Sequence, residues 1–173
     1  LQAFPMTMQY ITRERGPMTT LGGVEGLAFV ATPLGNRSWP DVQFHMAPAS
    51  ISSDNGARVR KVLGLTDVLY DKVYRPIANR DVWTLMPLLL RPKSRGTVRL
   101  RSRSAFAAPV IDANYFHHPL DVQTLVEGAK IALRISESRA FKQFGSKLHR
   151  VPFPNCRQHK FGSDGYWECH IRT

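Results

Sequence analysis

Two hydrophobic periods occur in this chain, and together they constrain its fold class. In the segments 27–32, 41–47, 82–90 and 96–103 the apolar residues sit in short runs or alternate: Val42, Phe44 and Met46 are spaced by two, as are Val98 and Leu100. Such spacing puts side chains on one face of a strand. From residue 121 onward Val122, Leu125, Val126, Ala129, Ala132 and Leu133 recur at steps of three and four, which lines them along one side of a helix. Strands followed by a docking helix predict an α+β chain, an antiparallel sheet with flanking helices.

Four extended segments are expected. Residues 27–32 form an apolar run between Gly26 and Pro33, and residues 41–47 alternate, with His45 opposite Val42, Phe44 and Met46. On that strand His45 either faces a substrate cavity or serves as a hydrogen-bonded structural residue. Residues 82–90 and 96–103 are joined by Arg91-Pro92-Lys93-Ser94-Arg95, which is rich in turn formers, and read as a hairpin with Val98 and Leu100 toward the core. Residues 6–15 read as the last turns of a helix stopped by Gly16-Pro17. The polar stretch 51–75, with an amphipathic piece at 59–69, reads as an excursion, and 109–119, with His117-His118, as an irregular link. Asp121 is expected to cap the main helix, about 15 to 18 residues long. Residues 162–170 read as a capped helix start carrying Tyr166 and Trp167.

At 173 residues and 43% hydrophobic composition the chain can bury one core, which excludes disorder and coiled coil. It holds 24 Lys and Arg against 13 Asp and Glu, a formal charge of +11, which raises nucleic acid, anionic membranes and acidic partners. The densest cluster, six cations within residues 91–103, has no interleaved aromatic for base stacking and no helix for a groove. It reads as a solvated strand face, with no specific nucleic acid as partner. The most apolar stretch, 85–90, is strand-sized and contains Pro87, far from the roughly 18 residues of a spanning helix.

Leu21-Gly22-Gly23-Val24-Glu25-Gly26 lacks both the GxGxxG spacing and the Lys-Ser/Thr of a phosphate loop, so a structural turn is expected there. Cys156 and Cys169 leave three states open: a disulfide, two independent buried thiols, or a zinc site with His159 and His170, although a quartet at zinc spacing is absent. The first residues lack the basic region and cleavage pattern of a signal peptide, and both ends read as cut from a longer protein.

Several phrases of the sequence resemble one family. Gly16-Pro17-Met18-Thr19-Thr20, then Gly22-Gly23-Val24-Glu25 and Asp41-Val42-Gln43-Phe44-His45, are similar to the substrate domain of glucose-methanol-choline (GMC) oxidoreductases. So are Pro92-Lys93-Ser94-Arg95-Gly96-Thr97-Val98-Arg99-Leu100 and the downstream Pro109, Ile111, Asp112, Tyr115, Asp121 and Gly128. The stretch around Asp164, Tyr166, Trp167, Glu168 and Cys169 resembles the insect glucose dehydrogenase branch.

The resemblance implies part of a two-part flavoprotein, in which an antiparallel sheet roofs a flavin held by a Rossmann-like FAD domain. Residues 1–104 would form the substrate-domain sheet with its excursion, and 105–173 the start of the C-terminal region, its helix returning toward the FAD domain. The implied chemistry is oxidation of an alcohol or sugar CH–OH group with FAD as cofactor, in a full-length protein that is secreted. The partners would be that substrate and the rest of the FAD domain. The family's GxGxxG and its proton-abstracting histidine, in a His-Pro-x-Gly-Thr segment, match no residue here; His170 precedes that segment and takes no catalytic role. The chain alone is therefore expected to be inactive, with no catalytic, cofactor-binding or metal residue assigned. Phe44, Met46, Trp83 and Leu85, together with Pro87, are the candidates for lining an apolar substrate pocket. The rival expectation is a non-catalytic basic binding or scaffolding domain.

Overall fold

Three strands make the main sheet in the computed structural model, which describes residues 3–19 and 23–173. They are β1 (Gly26–Val30), β2 (Val42–Ala47) and β3 (Thr84–Leu89), with β2 central and antiparallel to both neighbours. The register places Val30, Val42 and Leu89 in one row, Ala28, Phe44 and Pro87 in the next, and Gly26, Met46 and Leu85 in the third. These rows share one face because pleating alternates side chains. A second, two-stranded ribbon pairs β4 (Thr97–Arg99) with β5 (Val110–Asp112).

The helical segments are α1 (Ala3–Arg13), α2 (Val59–Val62), α3 (Asp67–Leu69), α4 (Pro119–Ser136), α5 (Arg139–Lys142) and α6 (Asp164–Arg172). Helix α4 lies on β2 and β3, burying Val122, Leu125 and Val126 along its apolar side. Gly128 is where backbone and sheet approach: a Cβ there would stand 3.3 Å from Pro87 Cβ and 3.4 Å from Val42 Cγ1. The core is therefore the seam between α4 and the Val42-Phe44 face, with Val42 and Phe44 themselves fully buried. The excursion after α3 continues through a π-helical turn (Tyr70–Tyr74) and a 3-10 turn (Arg75–Ile77), and buries Tyr70 and Val73.

The expected hairpin between 82–90 and 96–103 does not form. Strand β3 pairs with β2, and β4 pairs with β5, so the stretch 91–96 is a crossing between two sheets. Its backbone amides are taken by Asp121, whose carboxylate accepts from Lys93 N at 2.7 Å and Ser94 N at 2.8 Å. A buried carboxylate outcompetes a local turn for those donors because charge-assisted hydrogen bonds are the stronger ones. Gly96 completes the crossing: a Cβ there would stand 2.7 Å from the Ala113 carbonyl oxygen, and closer still to that of Asp112. Val98 and Leu100 are consequently exposed, not core, as are Arg99, Arg101 and Arg103, because nothing covers either face of the ribbon among the described residues. Arg95 and Arg101 spend donors on nearby carbonyls of Pro92, Ser94 and Ala108.

Asp121 is likewise not the cap of α4. His118 is, its Nδ1 accepting from Leu120 N at 3.2 Å, which places Asp121 in the first turn. The Ser94 hydroxyl accepts from His118 N at 2.9 Å, so the start of α4 and the crossing are bound reciprocally. The glycine-rich expectation at 21–26 lies partly outside the described residues; Gly23 to Glu25 lead directly into β1.

Candidate active-site face

The side of the sheet away from α4 carries a different set of residues. Leu27, His45 and Met86 form one row across β1, β2 and β3, and Phe29, Gln43 and Leu88 form the next. Leu27 and Phe29 are each 59% exposed, and Met86 and Leu88 also keep substantial open surface. Four apolar side chains thus flank two polar ones on one open sheet face. An exposed apolar patch of this kind, with polar groups in its midst, marks an interaction or ligand-binding surface. His45 and Gln43 are its hydrogen-bonding groups, and each sits on the paired central strand, the most rigid place the sheet offers.

The residues expected to line a pocket are placed elsewhere. Phe44, Met46 and Leu85 lie on the α4-covered face, and Phe44 is 1% exposed. Trp83 precedes β3, stacks on Phe141 at 4.3 Å between ring centroids and donates from Nε1 to Ser146 Oγ at 2.9 Å. The alternation across 41–47 separated the two faces; the face left open depends on where α4 docks. His45, on that face, sits among Leu27 and Met86.

A second ordered region gathers around α6. Ser163 Oγ accepts from Tyr166 N at 3.2 Å and caps the helix, and Cys156 and Cys169 are joined as a disulfide with a Cα separation of 5.8 Å. Tyr166 is buried, and its hydroxyl accepts from Phe153 N at 3.3 Å. Burial raises the Tyr166 phenol above its ordinary value, against the opposing effect of that amide. Lys130 on α4 reaches both Asp164 and Glu127 at 2.8 Å, and those two carboxylates, Asp164 foremost, raise its pKa. His170 packs edge-on against Phe153 at 4.1 Å, and burial lowers its pKa, which keeps the imidazole neutral at neutral pH. Its Nδ1 is buried without a hydrogen-bond partner among the described residues.

Comparison with known proteins follows the same outline. Residues 92–173, covering the crossing, the ribbon, α4 and the disulfide-clamped α6, match the GMC oxidoreductase C-terminal family model. The chain is 34% identical over 95% of its length to glucose dehydrogenase (FAD, quinone) of Drosophila pseudoobscura pseudoobscura, and 46% identical over 51% of its length to the enzyme of that name from Drosophila melanogaster. It is 32% identical over 95% of its length to the chloroplastic fatty acid photodecarboxylase of Chlamydomonas reinhardtii. The chain spans 24% of the first of these proteins, 14% of the second and 24% of the third. With the α+β architecture and antiparallel sheet described above, these matches show that residues 92–173 form a GMC oxidoreductase C-terminal domain, in a chain similar to glucose dehydrogenase (FAD, quinone) along 95% of its length.

Proposed function

We propose that this chain forms the substrate-facing sheet of an FAD-dependent oxidoreductase that acts on the CH–OH group of a sugar or alcohol. The observation that carries the reading is the asymmetry of the sheet: one face sealed by α4, the other presenting Leu27, Phe29, Met86 and Leu88 around Gln43 and His45. An open apolar sheet face with two hydrogen-bonding side chains suits a planar ring below it and a polyhydroxylated or hydroxyl-bearing molecule between. The residues here fit a roof, not a phosphate cradle. Gly23 to Glu25 run into strand β1 and not into a helix, so among the described residues this stretch offers no helix N-terminus to a pyrophosphate.

FAD, when bound, supplies the hydride acceptor. The chain's own part is to exclude water with Leu27, Phe29, Met86 and Leu88, and to orient a hydroxyl-bearing substrate through Gln43 and His45. We assign the exposed apolar residues of the ribbon, Val98, Leu100, Phe106 and Ile111, to contact with the rest of the flavoprotein. The disulfide supports an oxidising, extracellular setting for the whole protein. The test is to purify the full-length protein carrying this segment and add glucose or simple alcohols without oxygen. Bleaching of the bound flavin supports the reading, and a flavin that stays oxidised with every CH–OH donor refutes it.

A further inference from the structure

At the edge of the sheet, on the α4 side and so away from the open face, the β1–β2 connection, the end of β3 and the first turns of α4 line an open cleft of 380 Å³. Leu34, Leu89, Leu120 and the ring of Trp39 make the apolar part of its wall, beside the polar Asn36 and Thr124. Its charge comes from Arg91, Lys93 and Asp41, a net excess of one cation. Asp41 is buried, and both its oxygens are engaged by Thr32, Oδ1 by the amide at 2.8 Å and Oδ2 by the hydroxyl at 2.7 Å.

Arg91 is held in place rather than free to swing. Its guanidinium carbon lies 4.3 Å from the centre of the Trp39 ring, and its Nε donates to the Pro40 carbonyl at 3.0 Å. The terminal guanidinium nitrogens have no hydrogen bond, and neither Arg91 nor Lys93 forms an ion pair, among the described residues. A guanidinium fixed in this way keeps a planar pair of donors for a carboxylate, and the fixed geometry reduces the ordering cost of binding. The volume lies in the lower range of small-molecule sites, enough for a bicyclic ring system.

We propose that this cleft is a binding site for a small aromatic carboxylate, with its ring against Trp39, Leu89 and Leu120 and its carboxylate on Arg91 and Lys93. The site is separate from the proposed substrate face and stands or falls independently of it. The probe is 2-naphthoate, with the neutral 2-naphthamide as control, titrated calorimetrically into the full-length protein at low salt. Saturable binding of the naphthoate is expected, with the amide at least about tenfold weaker because it loses the charge-assisted pair. Arg91→Gln should weaken naphthoate by about tenfold or more, and Trp39→Leu should weaken both compounds. Lys93→Gln, at an exposed side chain, gives a milder second reading should Arg91→Gln fail to fold. Equal binding of acid and amide, binding unchanged in Arg91→Gln and Lys93→Gln, or no saturable binding at millimolar naphthoate would overturn the proposal.

Discussion

Replacing Asp121 by Asn tests how the crossing between the two sheets is held. The carboxylate is 2% exposed and accepts two backbone amides, Lys93 N on Oδ1 and Ser94 N on Oδ2. Asn keeps the shape but turns one acceptor into a donor. One amide bond survives without its charge, and the other becomes a buried donor facing a donor. A hydrogen bond to a charged group contributes about 1.5–3 kcal/mol, and a buried unsatisfied donor costs about 1–3 kcal/mol, so a loss of about 2–4 kcal/mol is expected at pH 7. Burial pushes the Asp121 pKa up, but the Lys93 and Ser94 groups, with His118 nearby, outweigh it and the net shift is downward. A depressed carboxyl stabilises the fold above its unfolded value, near 3.9, and loses that contribution as pH falls through the folded value. Wild type and variant should therefore converge in acid. Urea midpoints across pH give the energy, and amide exchange at Lys93 and Ser94 locates it. A loss under about 0.5 kcal/mol at pH 7, or a difference that grows in acid, would show that the Asp121 carboxylate does not hold the crossing.

Three further outcomes are expected. Replacing Cys156 and Cys169 together by Ser opens a loop of sequence separation 13 and should cost about 3 kcal/mol, measured as a fall in Tm that dithiothreitol reproduces in the wild type. Gly96→Ala drives a Cβ into the carbonyls of Asp112 and Ala113, so β4 and β5 should separate, read as faster amide exchange confined to the ribbon. Phe44→Ala should cost about 3–5 kcal/mol in urea denaturation, whereas Phe29→Ala on the open face should stay near 1 kcal/mol or below; equal losses would show that α4 covers the wrong face.

Much of the architecture was legible because it depends on local pattern. The alternation across 41–47 marks β2 and the three-and-four spacing from Val122 to Leu133 marks α4, whereas α1 ends at Arg13, ahead of the expected stop at Gly16-Pro17, with Glu14 at φ 50°. The partner of β3 was not legible, because the turn formers at 91–95 suit a hairpin and a crossing equally; Asp121, far along the chain, decides by taking the Lys93 and Ser94 amides. Asp121 was visible as a helix-start residue, but its tertiary partners were not, so it read as a cap when His118 holds that position. The same limit separated the two faces of β2 without showing which one α4 seals. Gln43, Leu27, Phe29, Met86 and Leu88 share the period-two signal of their strands, but it takes the sheet register to bring them together around His45.

The assignment of the face opposite α4 to substrate rests on its open apolar surface around Gln43 and His45. It is tested by steady-state kinetics of the full-length protein with a large charge placed on that face, Met86→Arg, beside Val62→Arg on α2 as a charge-matched control. Met86 is 38% exposed and Val62 85% exposed, so neither change empties the core. Met86→Arg should leave flavin content and Tm close to wild type while kcat/KM for the CH–OH donor falls by at least about tenfold, and Val62→Arg should leave kcat/KM unchanged. A folded, flavin-loaded Met86→Arg protein that turns over at the wild-type kcat/KM would show that this face does not meet substrate.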